Sequence, residues 1–263
     1  MSQEYQHPAF KAVPDSTVLW RYMDDYKFVH LLQEARMWMT RIPDLSDTYE
    51  GTIPIGETEW WNRKAQEAGS ENERLTYIHN RDFMSGFVCA ARENWFVSCW
   101  TIRDVEYPRM WKEYTKSPSS VAVRSSYGRL RAALPSFVEM GRVGYIDYGA
   151  ERIEDETSEL NIYHRVMHKH RPDFEWEREM RVFANINGPS EAPWVQEARA
   201  CHFAKSDNPN IRVLLPCVDL SQLIEAVVLH PLSTKEYRQQ VSEMCLGASL
   251  PAPISSELTS IDE

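Results

Sequence analysis

Residues 169–183 place three carboxylates, Glu175, Glu177 and Glu179, at alternate positions just ahead of a short β-like run over 180–184. In an extended backbone, side chains two residues apart share a face. Glu177 and Glu179 are therefore expected to aim at one site, with Arg181 next on that face. Like charges held this close repel, so a fold keeps them together through cationic or hydrogen-bonding partners, or because chemistry uses them. One carboxylate can stabilise a developing positive charge while a second orients or deprotonates a nucleophile. The same spacing also fits a solvated polar face on an edge strand. A second constellation is His164, His168 and His170, the first two four apart on an expected helix, a spacing that suits metal ligands. The acids of a His-Glu-x-x-His pattern are absent from it, yet the pair keeps a metal-dependent nuclease open as an alternative.

The elements around these residues alternate between strand and helix. Residues 17–23 read as a strand rich in β-branched and aromatic types. Residues 26–35 follow as an amphipathic helix, with Phe28, Leu31, Leu32 and Ala35 at helical spacing. Residues 36–42 alternate again. Residues 57–92 form a charged helical insertion whose expected buried face is Trp60, Trp61, Leu75, Ile78, Phe83 and Phe87. Strands are expected at 95–101, 121–124, 142–148, 211–217 and 226–230. Helices are expected at 109–116, 127–134, 156–169, 220–225 and 235–246. With no repeats and no break in composition, this order predicts a single mixed α+β domain over 17–248. A polar lead-in (1–16) and a disordered tail (249–263) flank it.

The chain of 263 residues carries a formal net charge of −10, so no global attraction to nucleic acid is expected. Locally basic stretches lie at 124–131 and 164–171. No apolar run reaches the length of a membrane span, and the first residues lack the pattern of a signal peptide. Five scattered cysteines without a CxxC pair suit reduced thiols in a cytoplasmic protein. The sequence has no phosphate loop, GxGxxG or GxSxG.

Six segments together resemble the bacterial domain-of-unknown-function family 2971. They are Leu19-Trp20-Arg21-Tyr22, Asp47-Thr48-Tyr49-Glu50, Phe96-Val97-Ser98-Cys99-Trp100, Met110-Trp111-Lys112-Glu113-Tyr114, Val143-Gly144-Tyr145 and the run from Lys169 to Arg181. The chain departs from that pattern at Asp47-Thr48 and at Ser119-Ser120. The order of elements also resembles the ADP-ribosyltransferase superfamily, and especially its toxin-like branch that modifies nucleic acid. This resemblance implies a twisted, antiparallel-rich central sheet with flanking helices, and NAD as the substrate. It implies further that Glu179 stabilises the oxocarbenium-like charge on the ribose, with Glu177 set toward the incoming nucleophile. Arg21 would hold the diphosphate, Ser98 would bond the ribose or hold Glu179 in place, and Tyr22, Trp100 or Tyr145 would wall the nicotinamide. No metal is required, and the acceptor (protein, nucleic acid or, for an NAD glycohydrolase, water) is left open, as is a role as a toxin or phage-defence effector. Plainer alternatives stand beside each residue. Arg21 fits a structural ion pair with Glu50, Ser98 a small strand residue, Trp111 and Tyr114 the core, and Cys99 a buried thiol. The whole fold also fits a non-enzymatic ligand sensor or interaction module, its carboxylates paired with Arg171, Arg178 and Arg181.

Overall fold

The computed structural model describes residues 7–153, 162–205 and 208–261. In chain order its elements are β1 (Val18–Asp24), α1 (Asp25–Glu34), β2 (Met39–Arg41), α2 (Ile55–Glu67), α3 (Glu71–Arg92), β3 (Trp95–Ile102), α4 (Pro108–Tyr114), β4 (Ser120–Ser126), α5 (Tyr127–Ala133), β5 (Val138–Arg142), β6 (Gly144–Ile146) and α6 (Tyr163–Val166). After these come β7 (His168–His170), α7 (Arg171–Phe174), β8 (Glu179–Asn185), α8 (Pro193–Ala200), β9 (His202–Lys205), β10 (Asn208–Leu214), α9 (Leu220–Leu223), β11 (Ala226–Leu229), α10 (Lys235–Gly247) and β12 (Ile254–Ser255). Local chemistry sets several boundaries. Ser70, Ser126 and Thr234 each accept a backbone N–H of the first turn of the helix they cap, which satisfies a donor the helix leaves open. Pro108 and Pro193 open α4 and α8, where a missing N–H costs nothing.

The protein is a mixed α+β fold built on one mainly antiparallel sheet. The strand order is β12-β11-β4-β1-β3-β2-β10-β9, with β8 on the other edge of β3 and β5 beyond it. β3 is the junction. Its whole length pairs with β8, from Trp95↔Asn185 to Thr101↔Glu179. Its opposite edge is shared, with β1 at Ile102 and Thr101 and β2 at Val97 and Phe96. The sheet therefore forks there, with β1 and β2 diverging from the edge over 98–100. The guanidinium of Arg21 spans the fork, donating to the Trp38 carbonyl at 2.6 Å.

The two faces of the sheet bury different sets of residues. Leu19, Met23, Trp100, Met180 and Val182 pack with Phe28 of α1, Leu130 of α5 and Val241 of α10 into the main core. On the reverse face Trp20 and Tyr22 pack with Met110 and Trp111 of α4, and Phe10, Trp95 and Phe183 form a further cluster.

Several expectations are corrected. The strand expected over 142–148 is two short strands, β5 and β6, because β6 leaves the main sheet to pair in parallel with β7. The helix expected over 156–169 is a single turn, α6, and Lys169 lies in β7; residues 154–161 fall outside the described residues. The tail is ordered through 261: β12 pairs with β11, and Leu258 and Ile261 pack against the α4 cluster. From residue 7 onward the lead-in is also built into the fold, with Ala9 and Phe10 buried. In the helical insertion Trp61, Met84, Val88 and Ala91 are buried, whereas Leu75, Phe83 and Phe87 are exposed. Leu75, Phe83 and Phe87 also recur at helical spacing along α3, but its covered stripe is Met84, Val88 and Ala91.

Candidate functional site

The carboxylate segment does not run as one strand. Glu175–Glu177 is a 3-10 turn, and Arg178 takes a left-handed conformation (φ 49°) that swings the chain into β8. The expected alternation therefore holds from Glu179 to Arg181 but not from Glu177 to Glu179. Glu177 reaches the same place by a different route. Its backbone carbonyl accepts the Thr101 hydroxyl, and its carboxylate accepts the Lys169 ammonium at 2.7 Å. Lys169 also lies 3.3 Å from Glu179 and 3.4 Å from Glu50. Arg181 closes the set with a bond of 2.6 Å to Glu179 and a forked pair to Glu50 at 2.7 and 3.0 Å.

Three carboxylates and two cations are thus sealed together, with Glu179 only 1% exposed and Arg181 0%. This is not the solvated face of an edge strand, since β8 is flanked by β3 and β5. Burial pushes the Glu179 carboxyl up, but Arg181 and Lys169 outweigh it and hold the group at about 2. Burial raises Glu177 from its ordinary value, against the pull of Lys169. Burial opposes the charge on Lys169 and Arg181, yet the surrounding carboxylates raise both. The Tyr114 hydroxyl donates to Glu177, so this tyrosine, which the sequence assigned to the core, belongs to the cluster. Burial raises Tyr114 as well.

The other expected site residues divide between the faces. Cross-strand partners share a face, so the alignment of Trp20 with Thr101 and of Thr101 with Glu179 puts Trp20 and Tyr22 on the carboxylate side. Arg21, Ser98 and Trp100 point the other way. A single cleft of Arg21, Ser98 and Glu179, as the resemblance implied, is not formed. Arg21 sits beside the Trp100 ring, 5.9 Å from its centroid, and has no carboxylate partner among the described residues. Its expected partner, Glu50, is taken by Arg181 and Lys169. Burial lowers Arg21 to about 10, and on the same face Ser98 Oγ and Trp100 Nε1 have no hydrogen-bond partner among the described residues. Tyr22 lies on the carboxylate side but packs edge-on against Trp111 at 4.8 Å, and its hydroxyl accepts the Tyr107 N–H. Tyr145 is at the site: its hydroxyl accepts the Glu179 N–H at 2.8 Å.

Tyr145 also lines an open groove of about 1390 Å³ beside the cluster. Arg103, Arg109, Arg142, Arg171 and Arg178 line it with Tyr107 and Trp176, and Glu175 is the one acid among its lining residues. Guanidinium groups and rings alternate. Arg103 lies 3.7 Å from the Tyr107 centroid and Arg109 4.0 Å from that of Trp176. Arg171 is paired with Glu151, whereas Arg142 and Arg178 are exposed and make no ion pair among the described residues. The sequence did show the signal, an Arg103, Tyr107, Arg109 spacing with Trp176 and Arg178 close to the glutamates. It was missed because the two segments meet only in the fold.

The histidines do not form the expected pair on a helix face. His168 begins β7, its Nδ1 lies 2.7 Å from the His164 carbonyl, and burial lowers it to about 4. Among the described residues, no three His, Cys, Asp or Glu side chains gather as a metal-binding set. No described helix is long and apolar enough to cross a membrane.

No family model matches the chain, so its likeness to domain-of-unknown-function family 2971 rests on the six motifs alone. No curated protein matches either. Among solved structures, the chain is similar to Thermus sp. 2.9 DarT in complex with carba-NAD+, at 10% identity and a TM-score of 0.36, covering 95% of this chain and 100% of that one. It is also similar to the same DarT in complex with ADP-ribosylated ssDNA, at 10% identity and a TM-score of 0.35, covering 97% of this chain and 100% of that one.

Proposed function

We propose that the arginine-lined groove binds a nucleotide diphosphate, with NAD as the ligand, and that the reaction is cleavage of the nicotinamide–ribose bond with transfer of ADP-ribose to an acceptor or to water. The observation that carries this reading is the groove itself: five guanidinium groups and three aromatic rings in a chain of net charge −10. Arg142 and Arg178 offer unpaired forks to the diphosphate, and Trp176, Tyr107 and Tyr145 offer faces for the flat rings. The bond between ribose and the cationic nicotinamide ring breaks with its electron pair going to the ring nitrogen, so nicotinamide departs neutral, the positive charge passes to the ribose and a nearby negative potential favours the step. The excess carboxylate of the cluster (Glu50, Glu177 and Glu179 against Lys169 and Arg181) supplies that potential from behind Tyr145. Arg21 and Ser98, on the opposite face of the sheet, hold no part of the ligand on this reading.

One observation favours a second reading, a nucleotide-binding module without chemistry: Glu177 and Glu179 are 3% and 1% exposed and already engaged by cations. A single experiment separates the two. NAD is titrated into the protein by calorimetry while released nicotinamide is measured, in the wild type and in Glu177→Gln and Glu179→Gln. Binding with release that is lost in either folded variant supports the transferase. Binding without release supports the module. Absence of binding rejects both.

A further inference from the structure

We infer that the exposed face of α3 is where a second copy of this chain docks, the two helices packed antiparallel about a two-fold axis at residue 81. The helix turns Met84, Val88 and Ala91 inward. Leu75, Phe83 and Phe87 are left on the outside, 48%, 55% and 46% exposed. They form one stripe with His79, because residues four apart stack along a helix. His79 stacks on Phe83 at 6.2 Å and Phe83 on Phe87 at 5.8 Å, so the rings make a continuous surface. At about 200 Å² for a whole phenylalanine, the two phenylalanines alone expose roughly 200 Å² per copy. Leu75 and the His79 ring extend the patch to roughly the few hundred Å² at which apolar surface marks an interaction site.

The stripe is its own complement. Reversed end to end about residue 81, Leu75 falls opposite Phe87, His79 opposite Phe83 and Thr76 opposite Gly86. That is the isologous pairing a two-fold dimer requires. Gly86 fits this register. Glycine weakens a helix interior, and a Cβ there would meet nothing within 4 Å, so the open space beside it suits the close approach of a second helix. Electrostatics select both the partner and the direction. Between residues 75 and 90 the exposed side chains include no Lys or Arg, and Asp82 is their one acid, so the face offers nothing to a polyanion. Antiparallel pairing lets the Asn80 amide donate to Asp82 of the partner subunit. Parallel pairing would set the two Asp82 carboxylates together and align the helix dipoles. His79 keeps its place in either protonation state, since a neutral imidazole stacks on a ring and a charged one is drawn to its face. From Asn72 to Ala90 the contact would run about 27 Å, and the two faces together approach the roughly 1,000 Å² of the smaller specific interfaces.

The test is analytical sedimentation of the full chain from about 5 to 200 µM, the range in which an interface this small associates. A reversible monomer–dimer equilibrium is expected. Leu75→Lys, Phe87→Glu and Gly86→Arg each put a charge into the apolar seam, and each should weaken the dimer at least about tenfold. All three positions are exposed, so the melting temperature of the dilute monomer should stay near the wild-type value. The antiparallel register makes a sharper demand. Mixing Leu75→Lys with Phe87→Glu should restore association, because the two new charges then face each other at one end while the original Leu75 and Phe87 meet at the other. A wild type that stays monomeric throughout the range overturns the proposal, as does a dimer that survives all three substitutions. A mixture that remains monomeric overturns it too, since the register is part of it. No α3 residue lines the arginine groove, so the variants should keep wild-type NAD binding and the outcome is independent of the nucleotide reading.

Discussion

Arg181 holds more of the candidate site together than either Glu177 or Glu179. It bonds Glu179 and Glu50 at once while 0% exposed. Removing one partner of a buried ion pair leaves uncompensated charge and costs about 3–5 kcal/mol. Arg181→Met is accordingly expected to lose that much stability in urea denaturation, with Glu50 and Glu179 both stranded. Glu177→Gln should cost about 1 kcal/mol or less, since the amide still accepts from Tyr114 and Lys169 retains two carboxylates. The two glutamates respond to pH with opposite sign. Glu179 is held at about 2 against an ordinary 4.5, so its contribution is complete above 4.5 and is lost as the pH falls toward 2. Glu177 is raised, so its contribution is greatest in acid and declines as the pH rises past 4.5. Thermal melts of Glu179→Gln and wild type should therefore converge as the pH falls from 5 toward 2, whereas those of Glu177→Gln and wild type should diverge as the pH falls from neutral toward 4.5 and keep a constant gap below it. The pairing of Glu179 with Arg181 was legible from strand alternation. The position of Glu177 was not, because a left-handed Arg178 breaks the alternation.

At the level of elements, most strands and helices could be read from pattern, and the exceptions share a cause. β6 and β7 are three residues each and pair with each other outside the main sheet, too short for alternation to mark them. The edge of β3 over 98–100 belongs to neither β1 nor β2, and no local pattern announces a fork. This is why Arg21, Ser98 and Glu179 seemed to converge: the sequence gives a face only after register is fixed, and register here is set across three strands. The lead-in has no strand or helix period, yet Ala9 and Phe10 are buried, Lys11 bridges to Arg142 and Gly141 admits the close approach. Gly141→Ala is expected to push residues 7–13 off β5, since the new Cβ would meet backbone atoms at 2.5–2.7 Å. Faster amide exchange over 7–13 and in β5, with β1 and β4 unchanged, is the expected signature. Uniform exchange across the sheet would show that the contact carries no local weight.

On the scale of the whole molecule, the contrast between an acidic chain and a basic groove makes a prediction of its own. A net charge of −10 repels polyanions at long range, so an anionic ligand must be drawn in by the local field of the groove. That field is screened by salt, because its arginines are partly or fully exposed and the Debye length is about 8 Å at physiological ionic strength. NAD affinity is expected to fall as salt rises from 20 to 300 mM, roughly the span over which screening contracts to a single contact. Arg142→Ala and Arg178→Ala should each weaken NAD by about tenfold, the value of a charge-assisted fork worth roughly 1.5 kcal/mol, and flatten the salt dependence. Arg21→Ala is the discriminating control. It lies on the opposite face of the sheet and donates to the Trp38 carbonyl, so its loss should lower stability and leave NAD binding unchanged. If Arg21→Ala abolished binding in a folded protein while Arg142→Ala and Arg178→Ala did not, the ligand would belong in the fork beside Ser98 and Trp100, and the groove would lose its assignment.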